Sequence, residues 1–118
     1  MINPRFNDRV CCVCARPAIG IGYAPPRTKS VDAIAWVCDD PECIHIAKDS
    51  YMTKQLEFGR LEQLATGDAG DRAGAYLDKI GKTDLATLTP TEWHTFLEEA
   101  IGGYREALKG RLRDEAPF

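Results

Sequence analysis

The stretches "DRVCCVCARPA" (residues 8–18) and "AIAWVCDDPEC" (residues 33–43) decide how this chain is built, because together they hold all five of its cysteines. In the first, Cys11 and Cys14 form a C-x-x-C pair with Arg16 and Pro17 close behind. The chain can therefore reverse tightly and turn backbone N–H groups toward the thiolates. In the second, an apolar run ends at Cys38, Asp40 and Pro41 read as the N-cap and first position of a helix, and Cys43 falls in its first turn. Two thiolates from a knuckle and two from a helix start suit a tetrahedral ion, so Cys11, Cys14, Cys38 and Cys43 are the expected ligands of a structural Zn2+.

Two other residues compete for that site. Cys12 adjoins Cys11, but the C-x-x-C frame selects Cys11 and leaves Cys12 as a small core residue or free thiol. The second pair is C-x4-C, looser than the commoner C-x2-C, which makes His45 the substitute to check. On a helix His45 points about 200° away from Cys43. Four thiolates leave no open coordination position, so the ion is expected to be a fold element and not a catalyst.

Length and charge bound the remainder. A chain of 118 residues and 13.1 kDa is one structural unit, expected as a zinc module with a β-hairpin and helix over residues 1–65 and a helical extension over residues 66–118 packing on it. No apolar stretch follows Met1 and none approaches the ~20 residues a bilayer requires. These features point to the cytoplasm, with reduced cysteines and no membrane partner. The net charge is −3 but uneven: Arg5, Arg9, Arg16, Arg27 and Lys29 stand against Asp8 in the first thirty residues, and acids dominate afterwards. An acidic chain is a poor general binder of nucleic acid.

Along the chain, "AIGIGY" and "AIAWVC" read as short strands separated by the loop "PPRTKSVD". A helix is expected from Pro41 to about Ala65, with Ile44, Ala47, Tyr51, Phe58 and Ala65 on one side. "TGDAGD" should break it, and a short helix should follow from Arg72 to Ile80, stopped by Gly81. Thr89-Pro90-Thr91-Glu92 reads as a capping box. After it Trp93, Phe96, Leu97, Ala100, Ile101, Tyr104, Leu108 and Leu112 form a wide apolar stripe, interrupted by Gly102 and Gly103, which imply a close neighbour or a bend.

Catalytic readings find little support. The zinc-deaminase pattern needs H-x-E with P-C-x-x-C, and neither His45 nor His94 has glutamate two residues on. Asp39/Asp40 and Glu98/Glu99 are more simply a helix start and a solvated face. A redox role for Cys11 and Cys14 lacks the accompanying βαβ pattern.

The stretch "CCVCARPAIGIGYAPP…AWVCDDPEC" resembles the treble-clef zinc finger, and is similar to small uncharacterised zinc-finger proteins of phages and prophages in proteobacteria. "KTDLATLTPTEWHTFLEEAIGGY" is similar to a C-terminal helical segment of such proteins. The resemblance implies an α+β fold with a knuckle, a β-hairpin and a helix N-terminus supplying the ligands. It implies no activity, since treble clefs bind proteins, bind nucleic acids or serve as scaffolds. The expected function is therefore non-enzymatic contact, as a phage-type regulator or inhibitor binding a protein partner in a host or defence complex, in the host cell cytoplasm if phage-encoded. The alternative is a nucleic-acid-binding zinc finger using the basic N-terminal half, with Tyr23 or Trp36 for stacking. Trp93, Leu97, Ile101, Tyr104 and Leu108 are expected to pack on the zinc module, with any uncovered part of the stripe available to close a homodimer.

Overall fold

The computed structural model describes residues 6–26, 33–53 and 55–115. Arg5, Arg27 and Lys29 lie outside them, as does most of the loop "PPRTKSVD". The architecture is α+β. Strands β1 (Ile21–Tyr23) and β2 (Ala35–Val37) pair antiparallel, with Gly22 opposite Trp36. Helix α1 (Pro41–Ser50) follows directly, then α2 (Gln55–Ile80) and α3 (Pro90–Glu115), an antiparallel pair of 26 residues each.

Local chemistry sets most of the helix ends. Asp40 caps α1 by accepting from the Glu42 amide at 2.9 Å, with Pro41 in the first turn. The capping box of α3 is complete: Glu92 N–H donates to Thr89 Oγ1 at 3.1 Å and Thr89 N–H to Glu92 Oε1 at 2.9 Å. Gly81 stops α2 at φ +70°, where it donates to Asp78 O and Lys82 donates to Leu77 O. That is the paired Schellman arrangement, and glycine enters it without steric cost.

Two boundaries differ from the sequence expectation. The first helix stops at Ser50, not near Ala65, and α2 runs unbroken through "TGDAGD" and across residue 65. At Tyr51 the chain leaves the helix. The Tyr51 hydroxyl donates to Ala33 O at 2.6 Å, and its ring packs on Phe6 and edge-on to Tyr23, so the end of α1 is fastened to the hairpin. In α2 the exposed Gly67 and Gly70 lower helix propensity by about 1 kcal/mol each. Buried Ala65, Ala69 and Ala73 form a narrow strip toward α3, and tertiary packing outweighs local preference.

The core lies where the cysteine module meets the lower half of the α2–α3 hairpin. Val13, Val37, Ile46 and Ala47 join Phe58 and Leu61 from α2 and Leu108 and Leu112 from α3 in one cluster. Leu61 and Leu112 are almost wholly enclosed, each a contribution of roughly 1.5–3 kcal/mol. Ion pairs set the register between helices. Arg72 reaches Glu99 at 2.7 Å and Glu106 at 2.8 Å, and Arg111 reaches Asp68 at 2.8 Å. The molecule measures 55 × 28 × 26 Å, so one end of the hairpin projects beyond the cysteine module.

This division corrects the expected packing of α3. Leu108 reaches the module and Tyr104 packs against that core, but Ile101, Leu97 and Trp93 stay 50%, 38% and 44% exposed. Trp93 stacks instead on Phe96 of its own helix, with centroids 5.7 Å apart.

Candidate metal centre

The cysteines of the site are positioned by short-range devices, one of them shared by Cys11 and Cys14. At the knuckle Cys11 N–H donates to Arg16 O at 2.7 Å and Ala15 N–H to Cys11 O at 3.0 Å, which closes the turn around Cys14. Ala15 is the only described non-glycine residue at positive φ, +65°. An isolated bridge between Val10 and Pro17 holds the two sides of the knuckle together. Cys38 follows β2 directly, and Cys43 sits in the first turn of α1, its amide bonded to Asp40 O at 3.0 Å.

These devices bring Cys11, Cys14, Cys38 and Cys43 together, their sulfurs all within 4.8 Å of one another. Cys14 and Cys38 are 3.6 Å apart, Cys38 and Cys43 3.7 Å, and Cys43 and Cys14 3.9 Å. A disulfide would need about 2.05 Å, and all five cysteines are free. A tetrahedral ion with metal–sulfur bonds of about 2.3 Å has sulfur–sulfur edges of about 3.8 Å. The three edges among Cys14, Cys38 and Cys43 straddle that value and Cys11 lies within 4.8 Å of each, so the donor set fits a metal ion such as Zn2+.

Electrostatics point the same way. The four side chains are at most 4% exposed. Donation from the Cys14 and Cys43 thiols holds the Cys11 thiol well below its ordinary range. In return, its bond to Cys11 pushes Cys14 up to about 12, and its bonds to Cys11 and Cys14 drive Cys43 up as well. Thiols this close cannot all ionise unless a cation replaces their protons. The Val13 amide donates to Cys11 Sγ at 3.5 Å, the kind of N–H contact expected of the knuckle.

The competing residues fall outside the cluster. His45 is exposed on α1. Cys12 is buried, but its amide donates to Trp36 O at 2.9 Å and its side chain lines a cavity of about 130 Å3 with Cys11, Phe58, Glu62, Tyr104 and Leu108. The looser C-x4-C spacing is absorbed by Asp39 and Asp40, which carry the chain from the end of β2 to the cap of α1.

Sequence reasoning missed the residues that tie this centre to α3. Lys109 Nζ donates to Asp40 Oδ2 at 2.5 Å and Arg113 to Glu42 Oε1 at 2.8 Å. The Lys109 ammonium is the main reason that the Asp40 carboxyl lies below the ordinary carboxylate range. Their spacings of 69 and 71 residues leave no local signal to read. Tyr104 lies over the neighbouring cavity, its hydroxyl 3.5 Å from Glu62.

A tetrathiolate module of knuckle, hairpin and helix, closed by a two-helix arm, places the chain among small α+β proteins with a metal-binding cysteine cluster. Residues 56–118 match the family of unknown function DUF6511, and the chain belongs to that family. The matched segment is the α2–α3 arm; the four clustered cysteines precede it. No curated protein and no solved structure matches the chain. Among the described residues no helix is long and apolar enough to cross a membrane.

Proposed function

We propose that this chain is a non-enzymatic protein, held in shape by a structural Zn2+ and acting through contact with a partner protein. The observation that carries the reading is the sealed tetrathiolate. Four sulfurs fill the ion's coordination sphere and none of the four cysteines that supply them is more than 4% exposed, so no substrate can reach the metal. Function then passes to the surface. Beside the hairpin, Ile19, just before the bend at Gly20, and Ile21, the first residue of β1, remain 52% and 53% exposed. We assign the partner's docking site to that surface.

A protein partner is favoured over nucleic acid by the net charge of −3 and by the engagement of Arg16 with Asp39 at 3.2 Å. The narrower role of a phage-type regulator or inhibitor rests on the sequence resemblance alone.

The test has two arms. Elemental analysis should give one zinc per chain. Capture of partner protein should be lost with the Ile19→Asp/Ile21→Asp double substitution and should change little with salt. Binding of labelled DNA or RNA that falls steeply as salt rises would instead establish the nucleic-acid reading. Iron in place of zinc, or an open coordination position seen by metal spectroscopy, would remove the structural assignment.

A further inference from the structure

The segment from Cys38 to Cys43 holds two of the four clustered sulfurs and, between them, Asp39, Asp40 and Glu42. Four thiolates around a dication leave a bound centre with a net charge of about −2. Three carboxylates beside such a centre repel it, and the repulsion strengthens wherever water is excluded. The sequence supplies no local remedy, since no lysine or arginine occurs between Lys29 and Lys48.

The counter-charges come from elsewhere in the fold. Among the described residues, Arg16 of the knuckle meets Asp39 at 3.2 Å, Arg113 meets Glu42 at 2.8 Å, and Lys109 meets Asp40 at 2.5 Å and Glu42 at 3.7 Å. The side chains of Arg16 and Arg113 are 48% and 52% exposed, so water and salt screen them, whereas that of Lys109 is 21% exposed. Lys109 is also the one of these three that bridges two of the acids. A compact ammonium with three donors can hold both at once.

We propose that Lys109 is the counter-cation of the metal centre: its ammonium offsets the charge of the tetrathiolate as well as that of Asp40, and so tightens the hold of the four sulfurs on their ion. This rests on the structural Zn2+ reading above and adds to it a residue that sets the affinity from outside the cysteine segment. The position of the charge is fixed, because Asp40, which holds Lys109, is itself anchored by the Glu42 amide at 2.9 Å. Cys43 lies within its influence. The Asp40 hydrogen bond first, then the Asp40 and Glu42 charges and that of Cys43, hold the Lys109 ammonium above the ordinary lysine range against the opposing effect of burial. Lys109 belongs to the segment that matches the family, whereas the sulfurs precede it, so the arm contributes a charge to the metal centre and not only a wall beside it.

Zinc affinity of the full chain, measured at neutral pH by competition with a chromophoric chelator, tests this. Lys109→Met should weaken binding about 10- to 100-fold, the usual effect of removing an outer partner of a metal site, with the helicity of the loaded chain retained. Lys109→Arg should recover most of the loss. Arg113→Gln, which removes a more exposed cation, should cost at most about 5-fold. The gap between wild type and Lys109→Met should narrow as salt rises from about 0.05 to 1 M, which a loss of packing would not do. Asp40→Asn keeps the cap of α1, and in that background Lys109→Met should still weaken binding.

Unchanged affinity in Lys109→Met overturns the proposal, and so does a loss that salt leaves untouched. Equal affinities of Asp40→Asn and Asp40→Asn/Lys109→Met also overturn it, because Lys109 would then serve Asp40 alone. A wild type that binds no zinc removes the structural-ion reading and this proposal with it, whereas a zinc-loaded wild type matched by its Lys109 variants removes this proposal only.

Discussion

Adjacent glycines in α3 should respond to the same substitution with opposite signs. A Cβ placed on Gly102 would meet only the guanidinium end of Arg72, at 3.6 to 3.8 Å, which is ordinary contact. A Cβ on Gly103 would meet Arg72 Cδ at 3.1 Å, Arg72 Cβ at 3.2 Å and the Ala69 Cα at 3.3 Å. The last of these is backbone and cannot swing aside. Replacing a helix-interior glycine by alanine gains about 0.5–1 kcal/mol in either case. Gly102→Ala keeps that gain. Gly103→Ala must also part α2 from α3 by a few tenths of an ångström, and overpacking of this kind typically costs about 1–3 kcal/mol. The net expectation is stabilisation of about 0.5–1 kcal/mol at position 102 and destabilisation of about 1 kcal/mol at position 103. Urea unfolding at fixed free zinc, followed by helical circular dichroism, measures both. Equal stabilisation by the two substitutions would refute the close approach of Gly103 to Ala69.

Removal of the metal should be selective in its effect: Cys14→Ser or Cys38→Ser should abolish zinc binding and unfold the knuckle and hairpin, whereas Cys12→Ser should retain one zinc per chain, and a chain that keeps its fold in chelator contradicts this. Ala15→Gly should leave zinc affinity intact and stabilise by up to about 1 kcal/mol, since +65° suits glycine, while Ala15→Val should destabilise by about 1–2 kcal/mol in the same urea assay. Burial first, and then the Glu62 charge, holds the Tyr104 phenol above its ordinary range. The folded state keeps that proton more tightly than the unfolded one, so this contribution to stability is full below the ordinary tyrosine range and is lost as pH rises through the raised value. In an alkaline absorbance titration, the phenolate signal missing from Tyr104→Phe should be the one that appears above the range of free tyrosine; a normal or early signal would be inconsistent with the buried position.

What could be read from the sequence was what neighbouring residues decide. The knuckle, the cap at Asp40, the box from Thr89 to Glu92 and the stop at Gly81 are each settled within about five residues, and each lies where the pattern placed it. The gathering of Cys11, Cys14, Cys38 and Cys43 followed from two such devices joined by a hairpin. The end of α1 did not, because the Tyr51 hydroxyl fastens the helix end to Ala33 O, a partner 18 residues earlier, while its backbone is still helical. The continuity of α2 through Gly67 and Gly70 depends on Ala65, Ala69 and Ala73 facing α3, which local propensity cannot register. The stripe on α3 was visible as a pattern. How far the cysteine module covers it depends on the size of that module, and periodicity carries no such information.

The fastening of α3 onto the start of α1 has a kinetic consequence. The sulfurs are joined across short spans, 5 residues from Cys38 to Cys43 and 24 from Cys14 to Cys38, whereas Lys109 meets Asp40 only across 69. Closing the longest of these loops costs about 1 kcal/mol more entropy than closing the 24-residue one. On this ground the cysteine cluster is expected to close around an ion before the arm docks. Reversal should then run in the opposite order, with Leu108 and Tyr104, which line the cavity beside Cys11, lifting before the cysteines open. Lifting of the last helix is then the step expected to limit release of an ion from these sulfurs.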